Sequence, residues 1–539
     1  MAQHWTRQDI ADKMADFERR SQQDPVASQR QLADELNIPR TTLQHWLARK
    51  ARIDAHPDVV AFFESPVGMA FLHRLVVAAH VVICLLGPCG TRLVCVFLEL
   101  SGLDQFVAAS YGSQQKVSVE IDEAVAAFDQ DEKTRLAQDM APRQIAVCED
   151  ETYHPEPCLV AIEPVSNFIL LERYAADGKA ATWTQALSDA TAALPLDIIQ
   201  STSDEGRGIL HHVEDHLGIH HSPDLFHVQQ ELVKGTSGAL ASQVRQAAKA
   251  LEHVETAAGA ADAPKAAADQ LDTAKRALDT ATAHQNTARQ AIHGIRDAYH
   301  PYDLDTGTAQ PSDVVADALA LHMADIDAVT RQAELSEKCC DRVAKAHRVV
   351  ANMVATIAFF FLTITAKVEA LSLGPEVEEA MFHHLIPALY LHRVAEKTTD
   401  IERRQQFHAT SQALLAPLRD RDGPFGHLTH DEVQTIEQVA QECADVFQRS
   451  SSCVEGRNGQ LALRHHSLHR LSTRKLTALT GMHNYCVQRA DGTTAAERFF
   501  GAKPRDLFQW LLDRVEVPSR PAKKRSQPTP QGSLGLATA

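Results

Sequence analysis

The spacing of apolar and polar positions changes along this chain and divides it into regions of different secondary structure. Between residues 143 and 221, short apolar runs alternate with turn residues, a pattern that predicts β-strands. Two stretches among them, 181–194 and 207–217, have helical spacing instead, so the predicted order is β-β-β-α-β-α-β. The five predicted strands cover residues 143–148, 158–165, 167–174, 196–202 and 219–221.

Most of the remaining chain has helical spacing. From residue 226 to 449 the pattern is almost wholly helical, with an Ala-rich helical pair broken near 259–264. The stretch 347–371 is more apolar and is predicted to be a buried helix. The pattern therefore predicts a multidomain α+β protein in which a large all-α insertion interrupts a mixed α/β core.

Residues 26–50 have the pattern of a helix-turn-helix. Leu32 and Leu36 share one face of the first helix, residues 37–39 form the turn, and Leu43 points inward from the second helix. The second helix of such a unit enters the major groove of DNA. The alternative is a plain helical hairpin without DNA binding. The residues that the second helix would present are Arg40, Thr41, Thr42, Gln44 and His45.

A second helix-turn-helix is one interpretation of residues 91–115, where two helical patterns flank Ser101-Gly102. The same residues equally suit a helical packing module. The apolar stretch 75–100 is broken at residues 87–92, which favours two buried helices over a membrane span. Residues 1–20 are polar and charged, and the ten cysteines include no C-x-x-C pair. These features predict a protein of a reducing cytoplasm with no membrane partner.

The net charge of −17 conceals an uneven distribution. Residues 456–539 contain 14 Lys and Arg against 5 Asp and Glu, so this segment is the electropositive part of the chain. Basic residues clustered in this way are typical of a surface that contacts DNA phosphates. A solvated basic helix is the alternative. The predicted DNA-contacting residues of this segment are Arg457, Asn458, Arg464, Arg470, Arg474 and Lys475.

Three carboxylates follow predicted structural elements at positions that suit metal-dependent phosphoryl transfer. Asp150 and Asp204 come after the first and fourth strands, and Glu455 opens a helix that carries Asn458 on the same face. Carboxylate oxygens converging from separate elements hold two Mg²⁺ or Mn²⁺ ions in such sites. Solvated surface charges or helix caps are the alternative. The carboxylates that compete for the same roles are Glu149, Glu151, Glu205 and Asp224.

The motifs also carry a resemblance. The order DET at 150–152, SDEGRG at 203–208, SPDLFHV at 222–228 and VEGRNG at 454–459 resembles DDE transposases of bacterial insertion sequences. The segment DGTTAAERFFG at 491–501 is similar to the C-terminal end of such enzymes. The resemblance covers roughly residues 140–230 and 450–510.

The resemblance implies an RNase H-like core with Asp150, Asp204 and Glu455 as metal ligands and Asp224 as a possible fourth. It also implies two bound divalent cations, double-stranded DNA partners (the terminal repeats of the element and its target), and a homodimer or larger assembly. The rival hypotheses are a non-catalytic DNA-binding regulator, an inactivated transposase and an RNase H-like nuclease without strand transfer.

The predicted organisation has six parts. The first two are a helix-turn-helix domain over residues 1–55 and a helical region over 56–140. The catalytic core is expected over 141–228 and 450–517, with the all-α insertion at 229–449 between its two parts. The Pro-, Ser-, Lys- and Arg-rich end, 518–539, is predicted to be a disordered tail.

Overall fold

A computed structural model describes residue 5 and residues 7–50, 53–153, 156–258, 266–468 and 471–519. The protein is mostly helical and has one mixed five-stranded sheet, which confirms the α+β class. Seven helices precede the sheet: α1 (Arg7–Gln23), α2 (Gln29–Glu35), α3 (Arg40–Lys50), α4 (Pro57–Glu64), α5 (Pro66–His80), α6 (Thr91–Leu100) and α7 (Tyr111–Gln138).

Helices α2 and α3 form the predicted helix–turn–helix arrangement. The first begins with a capping box, in which the Ser28 hydroxyl accepts from the Gln31 backbone N–H and the Gln31 side chain returns to Ser28. The turn contains Asn37 with φ +53°, a conformation that Asn tolerates better than most residues. The buried core of this region also includes two side chains of α1 and consists of Met14, Phe17, Leu32, Ala33, Leu36, Ile38 and Leu43.

The second possible helix-turn-helix does not have that arrangement. Helix α6 ends before Gly102, which has φ +69°, and a short 3₁₀ turn then leads to α7, which runs for 28 residues. Gln114 near the start of α7 is fully buried, donates to the Ala108 carbonyl and contacts His80. Because this polar side chain is used inside the fold, the structure favours the packing module.

The sheet follows α7 and has the predicted order of elements. Its strands lie in the order β3-β2-β1-β4-β5; β1, β2 and β3 are antiparallel, and β4 and β5 run parallel to β1. Asn167, with φ +64°, makes the predicted turn between the second and third strands. The elements are β1 (Arg143–Tyr153), β2 (Pro157–Glu163), β3 (Phe168–Tyr174), α8 (Ala180–Thr191), β4 (Leu196–Ser203), α9 (Arg207–His211) with a π-helical extension His212–Leu217, and β5 (His220–Pro223).

The helices and strands described in the insertion are all helices, apart from an isolated β-bridge between Tyr302 and Ala309. The predicted break of the Ala-rich pair, near 259–264, lies outside the described residues, between helices that end at Ala258 and begin at Ala266. A large core joins most of these helices, and Phe447 within it is in ring contact with Tyr299, Phe360 and Tyr390. The helices are α10 (Leu225–Ala258), α11 (Ala266–Ala298), α12 (Ser312–Gln332), α13 (Glu337–Glu369), α14 (Pro375–Ala380), α15 (Ile386–Lys397), α16 (Ile401–Leu415) and α17 (His430–Val446).

Four more helices complete the chain: α18 (Ser452–Leu468), α19 (Thr473–Tyr485), α20 (Ala495–Phe500) and α21 (Leu507–Arg514). The chain divides into two compact units, residues 1–139 with 459–539 and residues 140–458. The predicted second part of the core, 450–517, therefore belongs to the sheet unit only as far as Asn458. The cause is the packing of α19 and α21 on α7, where Tyr485 and Trp510 both contact Phe128 edge to face. Of the predicted tail, residues 520–539 lie outside the described residues.

Two helical segments are long and apolar enough to cross a membrane by length and composition. They are Pro66–Leu86 and Glu337–Glu369, each with a mean hydropathy of 2.1 in its most apolar window. Half of the first window and a third of the second are buried inside the protein, and a buried helix of a soluble fold passes the same test. The expectation that the protein has no membrane partner stays a prediction.

Candidate active site

The pairing of β1 with β4 places two of the predicted carboxylates beside each other. The strands are parallel neighbours, and Glu149 is the register partner of Ser203, the last residue of β4. Asp150 and Asp204 are each the next residue along the chain. β1 itself continues to Tyr153 because it stays paired with β2, so Asp150 lies inside β1 rather than after it.

Helix α18 brings the third predicted carboxylate to the same place. Asn458 Nδ2 donates to Asp150 Oδ2 at 2.7 Å. Glu455 lies three residues earlier on α18, and residues three apart share one face of a helix. The face of α18 that contacts Asp150 therefore also carries Glu455, whose side chain is 39% exposed.

Strand alternation separates Asp150 from its acidic neighbours. Successive side chains of a strand point to opposite faces of the sheet, so Glu149 and Glu151 lie opposite Asp150. Glu149 is fully buried and accepts from Ser201 Oγ, with His212 Nε2 at 3.4 Å. Glu151 accepts from Trp183 Nε1 at 2.7 Å. Of these three acids, Asp150 is the one that contacts α18. The sequence alone had left the choice among the three open.

Asp224 is held by the fold as a helix cap. Its carboxylate accepts from the backbone N–H of Phe226 at 2.8 Å and from Ser451 Oγ at 2.5 Å, and the residue is 2% exposed. His227 Nε2 lies 3.8 Å from Asp224 Oδ2 and 3.3 Å from Glu455 Oε1. At 3.8 Å the contact between Asp224 and His227 is too long for a hydrogen bond, and the role of Asp224 as a metal ligand or as a support for His227 stays a prediction.

Asp204 and Glu205 line a cavity of about 270 Å³ whose far wall comes from the insertion. Asp204 Oδ1 accepts from the Gly206 N–H at 3.1 Å, which fixes the turn after β4. Glu205 turns toward α13, where Asn352 Nδ2 lies 3.5 Å from Oε1. Lys345 of α13 also lines the cavity and was absent from the sequence prediction, because it lies some 140 residues from Asp204 and belongs to no motif.

The surroundings of Asp150 disfavour its charged form. Burial, together with the charges of Asp204 and Glu455, raises the pKa of the Asp150 carboxyl to about 7. A hydrogen bond from the Glu151 backbone N–H and the nearby His227 oppose this rise. A cation beside Asp150 would favour its ionised form.

The donor set suits a hard divalent cation by chemical type, but not by its present spacing. Asp150, Asp204 and Glu455 offer carboxylate oxygens only, the ligands that Mg²⁺ and Mn²⁺ prefer. As the side chains stand, no group of three His, Cys, Asp or Glu in the described part of the chain is close enough together to hold a metal ion.

The position of Arg457 contradicts its predicted contact with DNA. It is 5% exposed, and its guanidinium donates to both oxygens of Glu172, with Nε–Oε1 2.7 Å and Nη2–Oε2 2.6 Å. A bidentate buried pair of this kind fixes α18 to β3. In this structure Arg457 is therefore a structural anchor for the helix of Glu455 and Asn458, not a surface residue that contacts DNA.

Two of the other basic residues predicted to contact DNA from the C-terminal segment are also used within the fold. Arg464 donates to the carbonyl oxygens of Leu85, Leu86 and Gly87, at the end of the π-helical segment Val81–Leu86 that follows α5. Lys475 Nζ lies 2.9 Å from Asp122 Oδ1 and is 13% exposed. Asp122 of α7 thus neutralises one of the positive charges that the sequence assigned to this segment.

Two further residues of that predicted surface differ from these. Arg474 is 41% exposed, with Glu123 Oε1 3.6 Å from its Nη1. Arg470 lies outside the described residues.

The residues predicted for the major groove are on the surface of α3. Arg40, Thr41, Gln44 and His45 are exposed and Thr42 is partly exposed, whereas Leu43 between them is fully buried. This face is available to a partner, and its binding to DNA stays a prediction.

Comparisons with known proteins add one match. A model of a family of unknown function, DUF6399, matches residues 381–527, about a quarter of the chain. The matched segment includes α18 with Glu455 and Asn458, and its description assigns no activity. No curated protein and no solved structure matches the chain.

Proposed function

We propose that this protein is a DDE transposase of a bacterial insertion sequence: a metal-dependent enzyme that cuts DNA at the ends of its element and joins them to a target. The observation that carries the proposal is the register of β1 and β4. It sets Asp150 and Asp204 side by side near the carboxyl ends of these two parallel strands. The contact between Asn458 and Asp150 adds Glu455 on the helix that packs there.

The topology supports an RNase H-like core. Three antiparallel strands in chain order are followed by two parallel strands added on the other side of β1, with helices between them. In this order β1 and β4 are adjacent, so carboxylates at the ends of the first and fourth strands are neighbours. The helical insertion between β5 and α18 gives the separation of the last carboxylate that the resemblance implies.

The residues of the site have separable tasks. Asp150, Asp204 and Glu455 would hold two Mg²⁺ or Mn²⁺ ions, which when bound supply Lewis-acid activation of the attacking and leaving oxygens. Asn458 fixes the orientation of Asp150 through its amide N–H. Asp224, held by Phe226 N–H and Ser451, keeps His227 beside Glu455. Arg457 and Glu172 hold α18 in place.

The proposed strand-transfer reaction determines which partners the protein would need. The exposed face of α3 would read the ends of the element in the major groove. Joining two ends to one target requires two active sites on one DNA complex, so we expect a homodimer or a larger assembly on DNA. The site of the reaction would be the bacterial cytoplasm, at the nucleoid.

A strand-transfer assay tests the proposal. The full-length protein is incubated with Mn²⁺, a labelled duplex carrying the terminal repeat that flanks its gene, and a supercoiled target plasmid. We expect 3′-end nicking and joined products, both abolished in Asp204→Asn and Glu455→Gln. The matched control Glu205→Gln alters an acid that faces α13 and should retain activity.

The rival functions give different results in the same assay. Cleavage without joined products would indicate a nuclease. The side chains at the site are not close enough to hold a metal as they stand, an arrangement that favours a binding-only protein; binding of the duplex with no cleavage in Mn²⁺ or Mg²⁺ would therefore overturn the catalytic proposal.

A further inference from the structure

Two helices of the insertion have a charge distribution unlike the rest of the chain. Residues 232–251 of α10 and 280–296 of α11, 20 and 17 residues, contain no Asp or Glu, although roughly one residue in eight of the whole chain is acidic. The same stretches contain three and two Lys or Arg. Helices α10 and α11 are consecutive and pack on each other, with Gln229 Nε2 donating to the Ile292 carbonyl.

The two helices border a groove of about 460 Å³ that no carboxylate lines. Arg289, His293 and Arg296 of α11 all line it, and their spacing of four and three residues places them along one helix face. At 1.5 Å of rise per residue, this row is about 10 Å long. Amide side chains complete the polar lining: Gln229, Gln285 and Asn286.

The cations of the groove differ in how far they are neutralised. Arg296 Nε donates to Asp297 at 3.0 Å, and Arg403 approaches the other oxygen of the same carboxylate at 3.4 Å, so one acid faces two guanidinium groups. Arg289 is exposed, and no carboxylate of the described residues pairs with it. The groove therefore has a net positive charge in a strongly acidic protein.

Guanidinium and amide N–H groups in a row, with no acid among them, match the oxygens of successive phosphates. Apart from the imidazole of His293, no aromatic ring of a described residue lines the groove, so it offers little surface on which successive unpaired bases could stack. This lining favours the sugar–phosphate backbone of a duplex over a single strand or a nucleotide.

The groove and the cavity of the candidate active site lie on different faces of α10. His227, Val228 and Glu231 of α10 line the cavity that contains Asp204, and Gln229 and Val233 of the same helix line the groove. Each residue advances an α-helix by about 100°, so these two sets of side chains point in roughly opposite directions.

We propose that the groove between α10 and α11 binds the phosphate backbone of duplex DNA. The inference rests on the proposed function for the identity of the substrate. It assigns the DNA-contacting charge to the insertion, whereas the sequence placed it in the C-terminal segment.

Salt-dependent binding in EDTA tests this inference without catalysis. The affinity of the full-length protein for a fluorescein-labelled duplex of unrelated sequence is measured by anisotropy between 50 and 200 mM salt. Removing one cation that neutralises a phosphate should reduce the slope of log K against log salt by about one. We expect Arg289→Gln with Arg296→Gln to reduce it by about two. The helix-turn-helix contributes equally in all variants, so only differences between slopes count.

The control is Arg276→Gln, which changes an exposed cation of the same helix outside the acid-free stretch. It should leave the slope unchanged. Arg289→Gln alone removes no ion pair, so it is expected to keep the wild-type unfolding temperature and still reduce the slope by about one.

An unchanged slope in both groove variants would overturn the inference, whatever the protein does in Mn²⁺. Asp204→Asn is expected to bind as the wild type does. If groove-dependent binding occurs and the wild type cleaves nothing in Mn²⁺, the proposed enzyme activity fails while the DNA-binding groove stands.

Discussion

Asn458 donates a hydrogen bond of 2.7 Å to the carboxylate of Asp150, from a residue 308 positions further along the chain. This contact joins α18 to the middle of the sheet and distinguishes Asp150 from Glu149 and Glu151 at the candidate site. An amide donor at that oxygen favours the ionised form of Asp150 and fixes its orientation, as its proposed role of metal ligand would require.

The first prediction concerns that hydrogen bond. Asn458→Ala should leave the fold intact and weaken Mn²⁺ binding about 10- to 100-fold, as the loss of a residue that orients a metal ligand does. Isothermal titration with Mn²⁺ measures the affinity. Asn458→Gln, which keeps the amide, serves as the comparison; an unchanged affinity in Asn458→Ala would contradict the assigned role.

The buried pair of Arg457 with Glu172 gives a prediction about stability. Arg457→Met removes the bidentate partner of the buried Glu172 carboxylate and should cost about 3–5 kcal/mol of unfolding free energy. The double variant Arg457→Met with Glu172→Leu should recover most of that loss. Urea unfolding of the two single variants and the double variant measures the coupling, and simple additivity of the two losses would show that the pair does not act as a unit.

The raised pKa of Asp150 predicts how stability depends on pH. Because this pKa rises from 3.8 to about 7, chiefly through burial, the folded protein binds more protons than the unfolded chain between those values. Without metal, the folded state therefore loses stability as pH increases through that window. Asp150→Asn should raise the unfolding temperature in EDTA at pH 8 and raise it less at pH 5.

Metal ions should reverse this effect at pH 8. Mn²⁺ binds the ionised carboxylates of the folded state, so it should raise the unfolding temperature of the wild type. Asp150→Asn and Asp204→Asn should respond much less. An equal response of all three proteins would place the cation elsewhere.

Gly208 at the start of α9 gives a prediction about packing. A Cβ at this position would lie 2.0 Å from the Gly178 carbonyl oxygen, which is backbone and cannot move aside cheaply. Gly208→Ala should cost on the order of 1–3 kcal/mol and disturb the turn that holds Asp204. Gly238→Ala, inside α10 with open space around it, should be neutral or stabilising. Thermal unfolding of both variants measures the difference.

The face of α3 gives a prediction about recognition. Arg40→Ala and Gln44→Ala change exposed residues and should weaken binding to the end of the element by about 1–3 kcal/mol each, with little effect on unrelated duplex. Leu43→Ala empties a fully buried position and should instead unfold this region. Competition binding with the two duplexes distinguishes recognition from folding.

Local patterns predicted much of the fold. The order of strands and helices from β1 to β5 follows from apolar spacing, and the turns at Asn37 and Asn167 follow from residues that accept a positive φ. Glu455 could be placed at the start of a helix because its neighbours have helical spacing.

Local sequence patterns could not predict ion pairs between residues that lie far apart in the chain. Arg457 and Lys475 look like solvated cations in the sequence, and only their distant partners, Glu172 and Asp122, show that they are internal. The net charge of the C-terminal segment could not show which of its cations are paired, because Asp122, the partner of Lys475, lies more than 300 residues away in α7. The choice between Asp150 and its acidic neighbours also depended on which face of β1 meets α18.

The packing of Tyr485 and Trp510 on Phe128 has a consequence for biosynthesis. A ribosome releases α7 long before it makes the helices that cover it, while residues 140–458 emerge as one continuous segment. The sheet and the insertion can therefore fold first, and the unit that begins the chain is completed last. A message truncated before residue 459 would leave the apolar face of α7 without its cover, so its product should be cleared by cellular proteases.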